Sequence, residues 1–293
     1  MKRSTTALIL SVLAVLALSF TAFADEFNPD SDPSSQTIEQ VRAALGAEVP
    51  VKADLNLSAI MKSISNEFWR SLGNTFKYAL IEVPFSVVFA LLLAVFLNRK
   101  IAFRSGYRTI FFLPMVAAPA AVAMVWKFLY NQQFGLLNNV LHTDIAWISD
   151  PNIAWISIGV IGVWSIVGYN MILLISGLQE IPHDYYEAAE IDGATGVKQF
   201  FKITIPLLSP TIFFILQTRI IGALQQFDLI YMVMDNSNRA LKSVETVVYY
   251  FYTQAFTYNN RGLGAAIVVC MLVLIMLITF LLQKAEKKWV FYN

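Results

Sequence analysis

Charge, cysteine and histidine are all scarce in this sequence. Charged residues make up 14% of the 293 positions, against about 25% in an average soluble domain. The single cysteine, Cys270, excludes an internal disulfide and a multi-thiolate metal site, and its place in an apolar run predicts a small buried side chain. Two histidines, His142 and His183, are too few for the usual zinc sites. The net charge of +1 creates no field that attracts polyanions, so no nucleic-acid partner is expected.

Apolar side chains, in contrast, are abundant. They occupy 57% of the chain, more than a soluble domain of this size can remove from water. About 20 apolar helical residues cross a bilayer, and six runs reach roughly this length. The sequence therefore predicts an all-α polytopic membrane protein in the lipid bilayer. The predicted transmembrane helices are 4–24, 78–97, 109–126 with an extension to 130, 153–178, 203–234 and 262–283.

The distribution of Lys and Arg predicts the orientation of these helices. Counted from the N-terminus, alternate flanks contain eleven of these residues and the opposite flanks contain eight. The bias is larger when the long segment 25–73 is discounted, because long loops cross the membrane largely regardless of charge. We therefore expect both termini and the loop 179–202 to be cytoplasmic.

The loop after the fourth predicted span has the pattern of a helix, a turn and a second helix. Pro182 is suited to the first turn of a helix that continues through Glu190. Asp192-Gly193 then supplies a turn, because glycine adopts positive φ without steric cost. The second helix is expected to begin at Thr195 or Gly196. Such a knob would project into the cytoplasm with an acidic face.

This loop also carries a recognisable motif. Glu187-Ala188-Ala189 is followed after three residues by Gly193, and after nine more by Ile203-x-Ile205-Pro206. The motif resembles the EAA coupling loop of the membrane subunits of bacterial binding-protein-dependent ABC importers, with Ile205 where leucine is usual. Shorter segments between residues 67 and 283 resemble the carbohydrate-uptake branch, the maltose-permease-like, MetI-like permeases.

The resemblance implies a type I ABC importer (MetI-like) transmembrane domain in the bacterial inner membrane. Its partners would be a second homologous permease subunit, two ABC ATPase subunits and an extracytoplasmic solute-binding protein that delivers a sugar substrate. The sequence has no G-x-x-x-x-G-K-[ST] motif. ATP and Mg²⁺ are therefore expected on the partner ATPase, with no cofactor and no catalytic residues in this chain. The residues expected to couple to the ATPase, within a coupling loop at 180–206, are Glu187, Ala188, Ala189, Glu190, Asp192 and Gly193.

The N-terminal run has two interpretations. Lys2-Arg3, the apolar stretch after it and Ala22-Phe23-Ala24 are also typical of a cleaved secretory signal. Cleavage would leave five helices, and the resemblance favours retention. The predicted layout is an N-terminal helix or signal at 1–24, an extracytoplasmic linker at 25–73, the transmembrane domain at 74–283 and a cytoplasmic tail at 284–293.

Polar residues inside the predicted spans are candidates for the substrate path, because they are costly in a membrane. Amides, carboxylates and aromatic faces suit the hydroxyls and C–H faces of a sugar, and the resemblance implies substrate contacts in the corresponding helices. The same side chains could instead join helices by hydrogen bonds. The candidates are Tyr169, Asn170, Arg219, Gln225, Gln226 and Asp228.

Arg219 leaves two substrate classes open. It could pair with Glu82 across two helices, or it could receive an anionic group. The leading hypothesis is a permease for a sugar or oligosaccharide. The alternative is a permease for an anionic solute, such as an acidic oligosaccharide or a sugar or glycerol phosphate. A membrane enzyme would need a nucleophile–base pair or a metal cluster, and an autonomous channel would have no use for the coupling loop.

Overall fold

The computed structural model describes residues 57–99 and 101–290, with side chains described from residue 66 onward. Every regular element in this part of the chain is helical. The predicted helix 4–24 and the linker up to residue 56 lie outside the described residues. The helices are α1 (Leu57–Asn98), α2 (Arg104–Val116), α3 (Pro119–Leu129), α4 (Leu136–Leu141), α5 (Ala154–Glu180), α6 (Asp184–Ile191), α7 (Gly196–Gln199), α8 (Ile205–Leu207), α9 (Ser209–Leu224), α10 (Asp228–Val233), α11 (Leu241–Val244), α12 (Val247–Tyr252) and α13 (Arg261–Trp289), with π-helical turns at Phe200–Thr204 and Thr253–Thr257.

Three of these helices are long and apolar enough to cross a membrane by themselves: α1 from Asn66, α5 and α13. Two bent pairs meet the same criterion together. α2 and α3 form one pair, and the other joins Gly196–Leu207 to α9. If each pair is one span, the described residues contain up to five. This architecture confirms the predicted all-α polytopic membrane fold.

The first described span begins earlier than predicted. The expected helix at 78–97 is part of α1, which starts at Leu57 and therefore includes the boundary placed between residues 73 and 74. The soluble-protein composition of residues 25–73 predicted an extracytoplasmic linker there, but no proline interrupts the helix between Leu57 and Pro84. Charged side chains are compatible with a helix that extends beyond the apolar part of a bilayer.

Two predicted spans are not continuous helices. The run 109–130 is broken between α2 and α3, whose axes differ by 99°. Ala118 has an extended ψ of 131°, because the proline that follows disfavours helical geometry at the preceding residue. The run 203–234 is bent by 64° before α9, where Pro210 lies in the first turn, and it is interrupted again between Leu224 and Asp228.

The remaining two spans are close to their predicted positions. The run 153–178 corresponds to α5, and 262–283 lies within α13, which continues to Trp289. The two helices differ in burial: 11% of the apolar stretch of α13 is buried, against 61% of that of α5. The prediction of a buried Cys270 is wrong: the side chain is exposed, because α13 packs through one face and leaves the rest for lipid or a partner.

The core is organised around the contact of α1 with α5, which also packs against α2. Ala90 and Ala94 of α1 are fully buried and belong to the same cluster as Met171 and Leu174 of α5. Lipid is as apolar as these side chains, so close van der Waals packing rather than escape from water must hold such helices together. Small alanine side chains permit that close approach.

Candidate coupling surface and substrate path

The coupling segment, residues 183–206, projects from the helix bundle beside the C-terminal ends of α1 and α5. Its first helix, α6, has no buried residues. Asp184 and Glu187 lie in the first turn, where negative charge favourably opposes the helix dipole. The Glu187 carboxylate also lies 3.0 Å from Nδ1 of His183. The helix is therefore supported by local interactions while its surface remains free.

The turn after α6 confirms the predicted role of Gly193. Its φ of +69° is in the left-handed region that favours glycine. Its N–H donates to the Glu190 carbonyl at 3.0 Å, and the Ala194 N–H donates to the Ala189 carbonyl at 2.9 Å. These two bonds form a Schellman motif, which satisfies carbonyls that the end of a helix would otherwise leave unpaired. The turn thereby fixes the direction in which the chain leaves α6.

The second helix of the segment begins at Gly196, as predicted, and continues through a π-helical turn into α8. The Tyr186 hydroxyl lies 3.0 Å from Oγ1 of Thr204, which connects α6 to that turn. The segment also presents several exposed apolar side chains beside its acidic ones. This mixture is suited to a protein partner. The exposed apolar residues are Tyr185, Ile191, Val197 and Phe201.

The structure brings all six predicted coupling residues together. Glu187, Ala188, Ala189 and Glu190 are on α6, and Asp192 and Gly193 form the turn. Ala189 is half-buried and the other five are exposed. Their proposed contact with an ATPase stays a prediction.

A stripe of three polar residues on α1 organises the candidate substrate path. Tyr78, Glu82 and Ser86 recur every four residues and therefore lie on one helix face. All three are buried, and Glu82 is completely buried. We refer to these three residues as the polar stripe. Each of them contacts one predicted candidate from another part of the chain.

Glu82 pairs with Arg219 of α9. Both Nε and Nη2 of the guanidinium donate to Oε1, at 3.0 and 2.7 Å. The Arg219 side chain is 18% exposed, and Oε2 of Glu82 has no partner among the described residues. The pairing that the sequence left open is therefore formed, and the charge of Arg219 is compensated within the chain.

Asn170 and Gln226 contact the two ends of the polar stripe. The Asn170 amide donates to the Ser86 hydroxyl at 3.4 Å, and the Tyr78 hydroxyl donates to Oε1 of Gln226 at 3.5 Å. Both bonds are long and therefore weak. Oδ1 of the buried Asn170 has no partner in the described part of the chain. Glu82 of the stripe and the neighbouring Asn170 thus each retain an unused hydrogen-bond acceptor.

The other three candidates do not meet the polar stripe. Gln225 is exposed and lines a mainly apolar groove with α12 and α13. Asp228 is exposed in the first turn of α10, and Tyr169 is half-buried on α5. Gln225 and Gln226 both lie in the break between α9 and α10, and of the two only Gln226 bonds to the stripe. Contact of any candidate with substrate stays a prediction.

Tyr78, Ser86 and Gly162 also belong to this site and were not predicted from the sequence. A β-carbon on Gly162 would overlap the Tyr78 hydroxyl and lie 3.2 Å from Cγ of Glu82. Glycine is therefore needed where α5 approaches the polar stripe. The spacing of four around Glu82 in an apolar helix is the signal that could have identified the two α1 residues.

The family described as "Binding-protein-dependent transport system inner membrane component" matches residues 58–290. The chain belongs to this family. The resemblance to binding-protein-dependent permeases that the coupling motif indicated is therefore confirmed, and this permease is a membrane protein.

Several relatives and a solved structure are similar over most of the permease. A probable ABC transporter permease, YesP of Bacillus subtilis, is 36% identical over 78% of this chain and 75% of its own. The sn-glycerol-3-phosphate transport system permease UgpA of Agrobacterium fabrum is 33% identical over 87% of this chain and 89% of its own. The lactose transport system permease LacF of Rhizobium radiobacter is 34% identical over 74% of each chain. A bacterial alginate ABC transporter, solved with a pentasaccharide-bound periplasmic protein, has the same fold, with a TM-score of 0.72 at 19% identity over 94% of each chain.

Proposed function

We propose that this chain is the permease subunit of an ATP-driven importer and forms half of the translocation path for a sugar or oligosaccharide. An extracytoplasmic binding protein delivers the substrate, a second homologous permease completes the path, and two separate ATPase subunits bind ATP and Mg²⁺. The coupling segment and the C-terminus face the cytoplasm in the bacterial inner membrane. Chemistry takes place on the ATPase, and this chain converts its motion into transport.

The coupling segment is the observation that carries this proposal. A helix without buried residues, held rigid by the Schellman turn at Gly193, is suited to insertion into another protein. It connects α5 to α9, which hold Asn170 and Arg219 beside the polar stripe. Movement of the segment by a closing ATPase would therefore move the walls of the candidate path. Rigid-body motion of packed helices is a common means of such switching.

The polar stripe supports a substrate with hydroxyl groups. Glu82 and Asn170 each retain a buried oxygen that can accept a hydrogen bond, and sugars offer several hydroxyl donors. Both oxygens are buried in this conformation, so substrate would reach them only when α1, α5 and α9 separate. Lactose and arabinooligosaccharide permeases among the relatives agree with a saccharide substrate.

An anionic solute remains the second candidate. Relatives described as sn-glycerol-3-phosphate and sulfoquinovosyl glycerol permeases favour it, as does the fold shared with an alginate transporter. Arg219 gives this substrate class little support, because its charge is compensated by Glu82. A neutral saccharide is therefore the better-supported substrate.

Substitutions at the turn test the coupling proposal. Gly193→Val places a β-branched residue in the left-handed region, at a cost of about 1–2 kcal/mol or more, although a β-carbon would meet no atom within 4 Å. Gly193→Asn is the matched control, because asparagine tolerates this conformation. We expect the valine variant, and Glu187→Ala, to reduce ATPase co-purification and uptake, while the asparagine variant retains both.

If Gly193→Val and Glu187→Ala both left ATPase co-purification and uptake at the wild-type level, the coupling proposal would have to be abandoned. The permease should be expressed with its partner subunits for these measurements. Equal amounts of the permease in the membrane must be verified, so that a folding defect is not mistaken for lost coupling.

A further inference from the structure

The end of the molecule opposite the coupling segment contains a polar cavity of about 350 Å³. It lies between the beginning of the membrane-crossing part of α1 and the chain that runs from α10 through the second π-helical turn. Five tyrosines line it, together with an arginine, a lysine and two glutamates. We refer to it as the access cavity. Its lining differs from that of a lipid-facing groove, which would be apolar.

An ion pair holds the wall of the access cavity in place. Nη2 of Arg70 donates to Oε2 of Glu245 at 3.0 Å, which joins α1 to the chain after α11. The Arg70 side chain is 36% exposed, so part of it remains accessible. Nε of Arg70 and the hydroxyl of Tyr250 have no partner among the described residues. A small shift of either side chain would therefore offer a hydrogen bond to a ligand.

Aromatic side chains provide the rest of the binding surface. Tyr231 and Tyr258 are 43% and 68% exposed. The Tyr231 hydroxyl lies 3.5 Å from that of Tyr252, and the Tyr249 hydroxyl donates to Asn236 at 2.9 Å. Tyrosine combines a flat apolar face with a polar tip. A sugar ring offers the complement, with C–H faces and hydroxyl edges.

The access cavity is connected to the polar stripe by aromatic contacts. Tyr231 stacks on Phe227 with ring centroids 5.1 Å apart and planes at 24°, and Tyr252 packs on the same ring at 5.0 Å. Phe227 follows Gln226, whose side chain accepts from Tyr78 of the stripe. A series of aromatic and polar groups therefore leads from the open end of the molecule to the buried Glu82–Arg219 pair.

We propose that the access cavity is a saccharide-binding subsite that holds a sugar ring of the substrate before it reaches the polar stripe. The saccharide class rests on the proposed function. The volume is at the lower end of the range for small-molecule pockets, about 300–1,000 Å³, so the cavity suits part of an oligosaccharide. Its two glutamates balance Arg70 and Lys242, which favours a neutral, hydroxyl-rich ring.

Cysteine protection tests this subsite directly. In a Cys270→Ser background, Tyr258→Cys places a thiol at the cavity, and Val140→Cys is a control of similar exposure, 66% against 68%, outside the cavity lining. The reconstituted complex is treated with a membrane-impermeant maleimide in the absence of binding protein. The saccharides are maltose, lactose, arabinotriose and an alginate trisaccharide, each also tested for binding-protein-dependent uptake by the same complex.

The subsite predicts that a saccharide which drives uptake slows labelling at position 258 at least threefold and leaves position 140 unchanged. If a transported saccharide left the labelling rate at position 258 unchanged, or slowed labelling equally at positions 258 and 140, the subsite would be overturned while the proposed function stands. If none of the saccharides drives uptake or protects position 258, the saccharide class itself fails, and the subsite fails with it.

A second pair of variants separates binding from folding. Tyr252→Ala removes an aromatic face from the access cavity, and Tyr252→Phe retains it. We expect the alanine variant to raise the apparent KM for uptake roughly threefold to tenfold, the factor that an aromatic contact of about 1 kcal/mol produces, with an unchanged maximal rate. The phenylalanine variant should retain the wild-type KM. Equal KM values for all three proteins would contradict a sugar contact at this ring.

Discussion

The Glu82–Arg219 pair allows the sharpest prediction about how this permease is held together. Glu82 is completely buried and Arg219 is 18% exposed at its side chain. Removing one partner of a buried ion pair costs about 3–5 kcal/mol, because the other charge loses its compensation. Replacing both partners by apolar residues of similar volume is often close to neutral. The relevant variants are Glu82→Met, Arg219→Met and the double substitution.

Because Arg219 is partly exposed, we expect Glu82→Met to lower the free energy of unfolding by about 3 kcal/mol, the low end of this range. At about 2–4 °C for each kcal/mol in a chain of this size, its melting temperature should fall by about 6–12 °C. The melting temperature of the Arg219→Met variant should fall less, because the unpaired Glu82 carboxyl can take up a proton and become neutral. The double variant should melt within about 3 °C of wild type.

The assay is size-exclusion chromatography of the detergent-solubilised complex after heating over a range of temperatures. If the double variant lost as much stability as the two single variants together, Glu82 and Arg219 would not interact, contrary to the expected result. Uptake by the double variant provides a second readout. An unchanged preference between neutral and acidic oligosaccharides would assign Arg219 a purely structural role.

Three other predictions concern packing, loop structure and pH. Gly162→Ala should lower the melting temperature through overpacking of about 1–3 kcal/mol against Tyr78, whereas Gly196→Ala, with open space around it, should not. Asn138→Leu should speed limited proteolysis between residues 131 and 152, because the Asn138 amide donates to the Ile145 carbonyl at 2.9 Å and accepts from Trp147 at 2.7 Å; unchanged cleavage would contradict this role. Burial raises the pKa of the Glu245 carboxyl despite its pairing with Arg70. The melting temperature should therefore fall as the pH rises above the ordinary glutamate pKa of about 4.3. Glu245→Gln should make the melting temperature depend less on pH in this range.

The coupling segment was predictable from sequence because its structure is local. Proline in the first turn, a positive-φ glycine and acidic residues near the helix start each act within a few positions. The predicted turn at Gly193 and second helix at Gly196 are both present. Apolar run lengths likewise predicted α5 and α13 well, since the bilayer sets the length of a span.

The breaks and side-chain pairings were less predictable because they depend on several elements at once. Hydropathy does not change at Ala118, where the backbone leaves the helix. The proline at 119 was visible, but prolines are also tolerated inside membrane helices. Gln225 and Gln226 have the same chemistry but different neighbours, and the path of the chain after Leu224 decides which of them meets the stripe.

Transport driven through the coupling segment can be measured as binding-protein-dependent ATPase activity of the reconstituted complex. We expect binding protein loaded with a neutral oligosaccharide to stimulate ATP hydrolysis, Gly193→Val to abolish the stimulation and Gly193→Asn to retain it. If hydrolysis did not respond to loaded binding protein, or responded equally in the Gly193→Val variant, the chain would not couple transport to the ATPase through this segment. Stimulation by acidic oligosaccharides alone, lost in the Arg219→Met variant, would make the anionic solute the substrate instead.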